Sequence, residues 1–502
     1  MQLSGESLKK GPIDILNVTK IDDVFVKVDC EPSTAQELCD HFTFEVPGYK
    51  FMPSYRNKVW DGKIRLYSVW DKKIYSGLLP QVTKWAYENS YVVEGLVDFK
   101  PDSIKPEELK DFVDGLNLHS KNKKLTIRPY QYEAIFHSLK SRRCVLVSPT
   151  ASGKSLVIYS IIRYLEDLKV LLVVPTISLV EQMYKDFADY STGNGWDVES
   201  NCHRIYAGSD KNTDKRVTIS TWQSLFRLSK KYFSDFDLVI GDEAHLHKAN
   251  SLKGILEKLV NCPYRIGTTG TLDGTKTHKL VLEGLFGPVH QVTTTKELMD
   301  TEYLADLKIQ PVVIKYSEVE CKIVKELDYA KELQFLVTHK ERNEFIVDMT
   351  YELQGNTLVL YQLVEKHGKL LYDLVCQKEG KNAFFIHGGI SAEDRESVRD
   401  ICERTDNNII VASYGTFSTG INIKNLNNVV FASPSKSRIR NLQSIGRGLR
   451  RTDSKTKVVL IDVIDDLTLG KYLNYTFRHY LERVKIYHSE KFNMLKSYTH
   501  SI

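Results

Sequence analysis

No apolar run in the 502 residues approaches the ~18 that a membrane-spanning helix needs. The opening dozen residues, 1–12, are polar and hold no apolar signal core, so secretion is not expected. No C-x-x-C pair occurs. The eight cysteines (Cys30, Cys39, Cys144, Cys202, Cys262, Cys321, Cys376 and Cys402) are scattered, which argues against a disulfide framework or a structural zinc site and fits a reducing cytoplasm. Fourteen prolines and 28 glycines exclude collagen-like or low-complexity architecture. No fixed 20–50 residue period marks a solenoid. Charge of one sign is not in great excess either: 69 Lys and Arg less 64 Asp and Glu leaves +5, so any polyanion partner must be sought in local charge. What is present is core-forming material. A hydrophobic share of 42% beside 26% charged excludes wholesale disorder, and the length suits roughly three domains of ~150 residues.

The chain changes texture twice. Residues 1–120 mix short alternating segments with aromatics: 24–28 reads as a strand, 106–118 as a helix, and the polar, basic run His119-Ser120-Lys121-Asn122-Lys123-Lys124 as a linker. Then come short continuous apolar runs at 144–147, 170–174, 217–220, 238–240 and 265–267, and a second series at 357–361, 383–386, 409–412, 429–432 and 458–463. Runs apolar on both faces belong to parallel sheets sandwiched by helices. The expected fold is therefore α/β, with two tandem parallel-sheet domains, 121–305 and 306–470, behind a small α+β domain at 1–120. Residues 471–502, with six Lys or Arg against two Glu, read as a basic helical tail.

Three motifs carry chemistry. Ser148-Pro149-Thr150-Ala151-Ser152-Gly153-Lys154-Ser155 follows a buried-strand pattern and opens a helical one, the context a phosphate loop requires. There backbone N–H groups of Thr150, Ala151, Ser152 and Gly153 would meet phosphates, Lys154 would charge-pair with the β/γ oxygens, and Ser155 would ligate Mg²⁺. An ordinary turn with a solvated lysine is the alternative. Asp242-Glu243-Ala244-His245 ends the run 236–241, where ligands of open α/β sheets bind. Asp242 could hold Mg²⁺ and Glu243 could deprotonate the attacking water; a helix N-cap with a first-turn acid is the plainer reading. Gln443-Ser444-Ile445-Gly446-Arg447-Gly448-Leu449-Arg450-Arg451 puts Arg447 and Arg450 on one helix face. They read as arginine fingers or as a solvated basic face.

Taken in order, these motifs resemble the core of superfamily-2 helicases and translocases, two RecA-like domains with ATP and Mg²⁺ between them, over about residues 125–470. The resemblance extends to Arg128-Pro129-Tyr130-Gln131 as an adenine-recognition motif, with Arg128 and Gln131 at the nucleotide. It also extends to 174–179, 219–223, Thr269-Gly270-Thr271, Ile386-His387-Gly388-Gly389 and 413–423, with Gly420 near the nucleotide and Gln443 joining the catalytic set. Asn422 and Ala151 depart from the usual Asp and Gly. The segments Asn57-Lys58-Val59-Trp60-Asp61-Gly62-Lys63-Ile64-Arg65-Leu66 and Gly77-Leu78-Leu79-Pro80 are similar to phage recombination and repair helicases of the UvsW type. That resemblance implies ATP-dependent action on branched or single-stranded DNA (Holliday junctions, displacement loops, stalled forks), with phage recombination or single-strand-binding proteins as possible partners.

Between Tyr49 and Tyr67 five basic residues (Lys50, Arg56, Lys58, Lys63, Arg65) oppose one acid, Asp61, and are interleaved with Tyr49, Phe51, Tyr55, Trp60 and Tyr67. Positive groups follow phosphates and aromatic faces stack on bases, so Arg56, Lys58, Trp60, Lys63 and Arg65 are candidate nucleic-acid contacts. A half-buried sheet with core aromatics would leave the same pattern, and both readings can hold. In the core, short hydroxyls such as Thr176, Thr221 and Thr416 are expected at phosphates, which favours structure over sequence preference. An RNA helicase, a duplex translocase that does not separate strands and an ATP-gated clamp are the competing functions.

Overall fold

A computed structural model describes residues 14–95, 103–120, 123–206, 208–246, 250–272, 276–420, 423, 425–433, 437, 445–446, 449 and 456–502. The chain divides into two units, Met1–Val147 with Ser155–Val292, and Ser148–Lys154 with Thr293–Ile502. Among the described residues no helix is long and apolar enough to cross a membrane.

The first unit holds two sheets. The front sheet runs, in spatial order, Tyr67–Ser68, Lys73–Tyr75, Phe25–Asp29, Ile15–Lys20 and Val92–Glu94; only the last pairing is parallel. Its period-two pattern buries Val26 and Val28 while Lys27 turns outward. Helices Pro32–His41 and Leu79–Glu88 cover the buried face with Leu38, Val82 and Trp85. The second sheet is all parallel, in the order Cys202–Ile205, Val217–Thr221, Val170–Val174, Leu238–Gly241, Tyr264–Thr269, Arg143–Val147 and Val289–Gln291. Every residue of Val170–Val174 and Val217–Thr221 is buried; the first is an unbroken apolar run, while the second buries Thr218, Ser220 and Thr221 among its apolar residues.

The two sheets of this unit share one apolar core: Leu16, Val26 and Val82 belong with Val145, Val239 and Leu282. Polar bonds reinforce it. Tyr75 Oη donates to Glu257 Oε1 at 2.6 Å, Gln81 Nε2 to Glu283 Oε2 at 3.0 Å, and Arg143 Nη1 to the Asp23 carbonyl at 2.6 Å. Gly77 is glycine because a Cβ there would lie 2.1 Å from the Glu283 carbonyl oxygen. The run read as a linker is instead pinned. His119–Ser120 pairs with Lys123–Lys124, and Ser120 Oγ donates to Asp189 at 2.8 Å.

The second unit is a parallel sheet ordered Ala383–Ile386, Ile409–Ser413, Thr357–Tyr361, Asn428–Phe431, Lys457–Asp466 and Asp306–Lys315, with Asn493–Met494 and Tyr498–Ser501 on the outer edge. Asp306–Lys315 had not been expected as a strand. Its Pro311 has no N–H to give, and the edge pairing is accordingly split around it, with Gln310 Nε2 donating to the Lys496 carbonyl at 2.8 Å. The tail departs from a continuous basic helix. Its helix spans Tyr475–Ser489, and the residues beyond it become edge strands. Arg483 is buried against Asp462 at 2.8 Å, so that cation holds the helix to the sheet instead of extending a charged track.

Candidate nucleotide site and nucleic-acid interface

The strand Arg143–Val147 feeds the loop 148–153, and the helix Lys154–Tyr164 follows it. The loop is closed on itself. Ser148 Oγ donates to Ser152 Oγ at 2.6 Å, and Lys154 Nζ reaches the Ser148 and Pro149 carbonyls at 3.3 and 3.5 Å. Ala151 sits at φ +69° and Gly153 at +85°. Two left-handed residues within three positions turn the backbone sharply, the kind of conformation in which successive N–H groups form an anion-binding concavity. It also explains why glycine is the usual occupant where this chain has Ala151. Ser155 Oγ lies 2.8 Å from Tyr190 Oη, and the Tyr190 ring packs edge-on to Tyr159.

Asp242 and Glu243 follow the strand Leu238–Gly241, which stands two places along the sheet from Arg143–Val147 with Tyr264–Thr269 between them. The strands are parallel, so the acids follow the same carboxyl-terminal side of the sheet at which Val147 ends, roughly 9–10 Å along it by strand spacing. Asp242 is buried and accepts a 2.7 Å bond from Thr268 Oγ1. His245, also buried, has Nδ1 2.8 Å from Thr269 Oγ1 and 3.2 Å from Glu243 Oε2. The acids are thus tied to the end of the neighbouring strand, where Thr269-Gly270-Thr271 begins. Glu243 adopts φ +51°, a conformation rare for a non-glycine residue and one that clusters at functional sites. The 3-10 turn Ala244–Leu246 follows.

Arg128 precedes the helix Pro129–Ser141. Gln131 is buried, and its Oε1 accepts from the Arg128 N–H at 2.9 Å, while Arg128 Nη1 donates to Tyr130 Oη at 2.9 Å. Thr176 caps the helix Ile177–Ser191 by accepting from Leu179 N at 3.3 Å; Thr221 Oγ1 is 3.0 Å from Ser224 Oγ; Thr416 Oγ1 accepts from Ser413 Oγ at 2.8 Å. All three hydroxyls are therefore engaged at helix starts. Gly420 ends the helix Tyr414–Gly420. Gln443, Arg447 and Arg450 lie outside the described residues.

In the front region of the first unit the structure sorts the aromatics. Tyr67 is fully buried and donates to the Val28 carbonyl at 3.0 Å. Tyr49 and Tyr55 pack edge-to-face at 4.7 Å, and Trp60 Nε1 donates to the Lys63 carbonyl at 2.8 Å. Phe51 faces solvent at 77% exposure. Arg56, Lys58 and Lys63 are exposed. Arg65 is bound to Asp61 at 2.5 Å, a contact that holds the Asp61 carboxyl below its usual range. Val59, at 81% exposure, and Trp70, at 96%, escaped the sequence reading, as did Tyr190. For Val59 the local signal was its place between Lys58 and Trp60; for Tyr190 there was none, because its partner lies 35 residues away.

Residues 14–95 match the N-terminal domain of the DNA helicase UvsW, 124–274 match the type III restriction enzyme res subunit, and 341–452 match the helicase conserved C-terminal domain. The chain is 35% identical over 493 residues to the ATP-dependent DNA helicase uvsW of Enterobacteria phage T4, covering 93% of this chain and 96% of that one. It is 28% identical over 227 residues to the DNA 3'-5' translocase XPB2 of Sulfurisphaera tokodaii, of which it covers 48%. The crystal structure of T4 UvsW superposes with a TM-score of 0.52 at 31% identity, over 97% of this chain and 99% of that chain. With a mixed front sheet, two parallel-sheet α/β units and these matches in chain order, the chain belongs to the UvsW family of superfamily-2 ATP-dependent DNA helicases.

Proposed function

We infer that the chain converts ATP hydrolysis into movement along DNA and acts on branched substrates: four-way junctions, displacement loops and stalled forks, in recombination, replication and repair. The observation that carries this reading is the acid pair Asp242 and Glu243, held by Thr268 and His245 at the carboxyl-terminal side of the parallel sheet, the side at which Arg143–Val147 also ends. In this scheme Thr150, Ala151, Ser152 and Gly153 wrap the phosphates, Lys154 carries the β/γ charge, and Glu243 orients and deprotonates water. Arg128 and Gln131 meet the base, Gly420 lies near the nucleotide, and Gln443, Arg447 and Arg450 act on the γ-phosphate. Ser155 and Asp242 fit Mg²⁺: the donors are all oxygen, one hydroxyl and one buried carboxylate, the pattern this ion takes when substrate phosphates complete its shell. Bound there, Mg²⁺ would neutralise charge developing on the transferred phosphoryl group.

Residues 1–120 serve as the nucleic-acid-binding domain, 121–305 and 306–470 as the two motor domains, and 471–502 as a buttress to the second. Arg56, Lys58, Trp60, Lys63, Arg65, Thr176, Thr221 and Thr416 form the proposed DNA track, and the work is done in the cytoplasm alongside recombination or single-strand-binding proteins. The test is ATP turnover stimulated by a four-way DNA junction, single-stranded DNA and structured RNA in parallel. The junction is expected to stimulate most; strongest stimulation by RNA overturns the substrate assignment.

A further inference from the structure

Ser155, the proposed hydroxyl ligand of Mg²⁺, is held by a residue that belongs to none of the sequence motifs. Its Oγ lies 2.8 Å from Oη of Tyr190, near the end of the helix Ile177–Ser191 and 35 positions away in the chain. Either oxygen could donate in this bond, and the chemistry asked of Ser155 selects one arrangement. A serine hydroxyl has one proton and two lone pairs. Ligating a cation uses a lone pair, and a proton aimed at the cation opposes it. Ser155 can therefore serve Mg²⁺ only if its proton is accepted elsewhere. Serines further along a helix hand theirs to the carbonyl four residues back, as Ser160 does to Leu156 at 2.9 Å. Ser155 stands in the first turn of the helix Lys154–Tyr164, and the residue four back, Ala151, is outside that helix at φ +69°. Tyr190 stands where the helical carbonyl would.

The tyrosine is itself fixed. Its ring packs edge-on to Tyr159 at 5.6 Å, and Tyr159 is fully buried with Phe187 and Trp196 against its ring at 5.5 and 5.6 Å. Tyr159 Oη accepts from Arg163 Nη1 at 2.6 Å and from Asn194 Nδ2 at 3.3 Å, and Asn194 also donates to the Leu116 carbonyl at 2.7 Å. A residue needed only for packing would set a plain ring against this group. The hydroxyl adds nothing to that contact and is spent on Ser155.

We propose that Tyr190 is a positioning residue for ATP hydrolysis: its Oη accepts the Ser155 hydroxyl proton and so leaves both lone pairs of Ser155 available to Mg²⁺. The inference rests on the reading of Ser155 as a Mg²⁺ ligand and adds the group that prepares it. Partners that orient a metal's ligand change affinity for the metal by about 10–100-fold.

The experiment uses the full chain and measures ADP binding by titration calorimetry, once with Mg²⁺ and once with EDTA. Tyr190→Phe keeps the ring against Tyr159 and removes the hydroxyl alone, and its melting temperature verifies folding. It is expected to weaken Mg²⁺–ADP binding about tenfold and to raise the Mg²⁺ concentration that half-saturates ATP turnover, while metal-free ADP binds within about twofold of the parent. Equal weakening with and without metal marks a packing role and overturns the proposal, as does unchanged binding with metal. Ser155→Ala separates the proposal from the reading beneath it. If Ser155→Ala weakens Mg²⁺–ADP binding and Tyr190→Phe does not, Ser155 is the ligand and Tyr190 does not position it. If Ser155→Ala binds Mg²⁺–ADP as the parent does, Ser155 is no ligand and the proposal falls with that reading. In the double variant Tyr190→Phe should cost nothing beyond the loss from Ser155→Ala; a further tenfold loss would show that Tyr190 acts by another route.

Discussion

Ala151 and Glu243 are the non-glycine residues of the proposed nucleotide site that the structure describes at positive φ. Ala151 takes a conformation that glycine reaches without penalty, at a cost of about 1–2 kcal/mol. Ala151→Gly is therefore expected to leave stability unchanged or slightly raised. Ala151→Val, β-branched at a position that disfavours it, should lose about 2 kcal/mol and weaken ADP binding. Urea denaturation of the two variants decides this, and a valine variant as stable as the glycine one would refute the strain. Lys154→Ala is expected to lower ATP turnover by about 10²–10³-fold while sparing much DNA binding, measured as steady-state hydrolysis beside fork binding. Full turnover in that variant would remove the loop from the site. The buried pair Arg483–Asp462 carries a stability prediction. Arg483→Met leaves Asp462, which also accepts from Tyr487 Oη at 2.9 Å, without its cation, at about 3–5 kcal/mol. A melting temperature unmoved by the change would contradict it.

Between elements, buried side chains do the joining. Glu332, fully buried on the helix Tyr329–Thr338, reaches the start of the tail helix. There it accepts from Tyr475 N at 2.9 Å, Thr476 N at 2.7 Å, Thr476 Oγ1 at 2.9 Å and Asn474 Nδ2 at 3.1 Å. A carboxylate there satisfies N–H groups the helix cannot satisfy itself and meets the positive end of its dipole. The tail helix thus begins where a residue 143 positions earlier in the chain lets it begin. A second device lies between the helix Pro129–Ser141 and the edge strand Val289–Gln291, where the His137 and His290 rings stack at 3.9 Å. Burial first, then the facing His290, push His137 down from 6.5 to about 4. A folded-state value below the unfolded one means the unfolded chain binds the proton more readily. Stability is therefore complete above about pH 6.5 and declines as pH falls from there towards 4. Melting temperature against pH, for the parent and His137→Gln, tests this. The variant should flatten the decline in that window, and identical profiles would exclude His137 as its source.

For the whole molecule, grip on DNA should be electrostatic and therefore salt-dependent. Removing Lys58, an exposed cation, is expected to weaken binding evenly across sequences and to reduce the slope of log affinity on log salt by about one. An unchanged slope would show that Lys58 touches no phosphate. Much of this molecule was legible in the chain because its informative features are contiguous. Doubly buried strands such as Val170–Val174 are continuous apolar runs, the proposed phosphate loop is eight consecutive residues, and the acids follow a strand. Less legible were the features made by contact at a distance. Nothing local marked Tyr190 as the partner of Ser155, or Glu332 as the cap of the tail helix. Pro311 disguised a strand, and the tail's basic count concealed that Arg483 is spent in the core.

The order of motifs and the two parallel-sheet units follow from residue type and spacing, since hydrogen-bond periodicity and phosphate chemistry act over a few neighbouring residues, and the family was legible only as a resemblance carried by those motifs. Which aromatics of the front region face water was decided only by tertiary packing. Tyr49, Phe51, Tyr55, Trp60 and Tyr67 are equivalent as letters, and the fold turned four of them to internal contacts and left Phe51 outside. Burial is a property of what surrounds a side chain, and those surroundings arrive from distant parts of the chain.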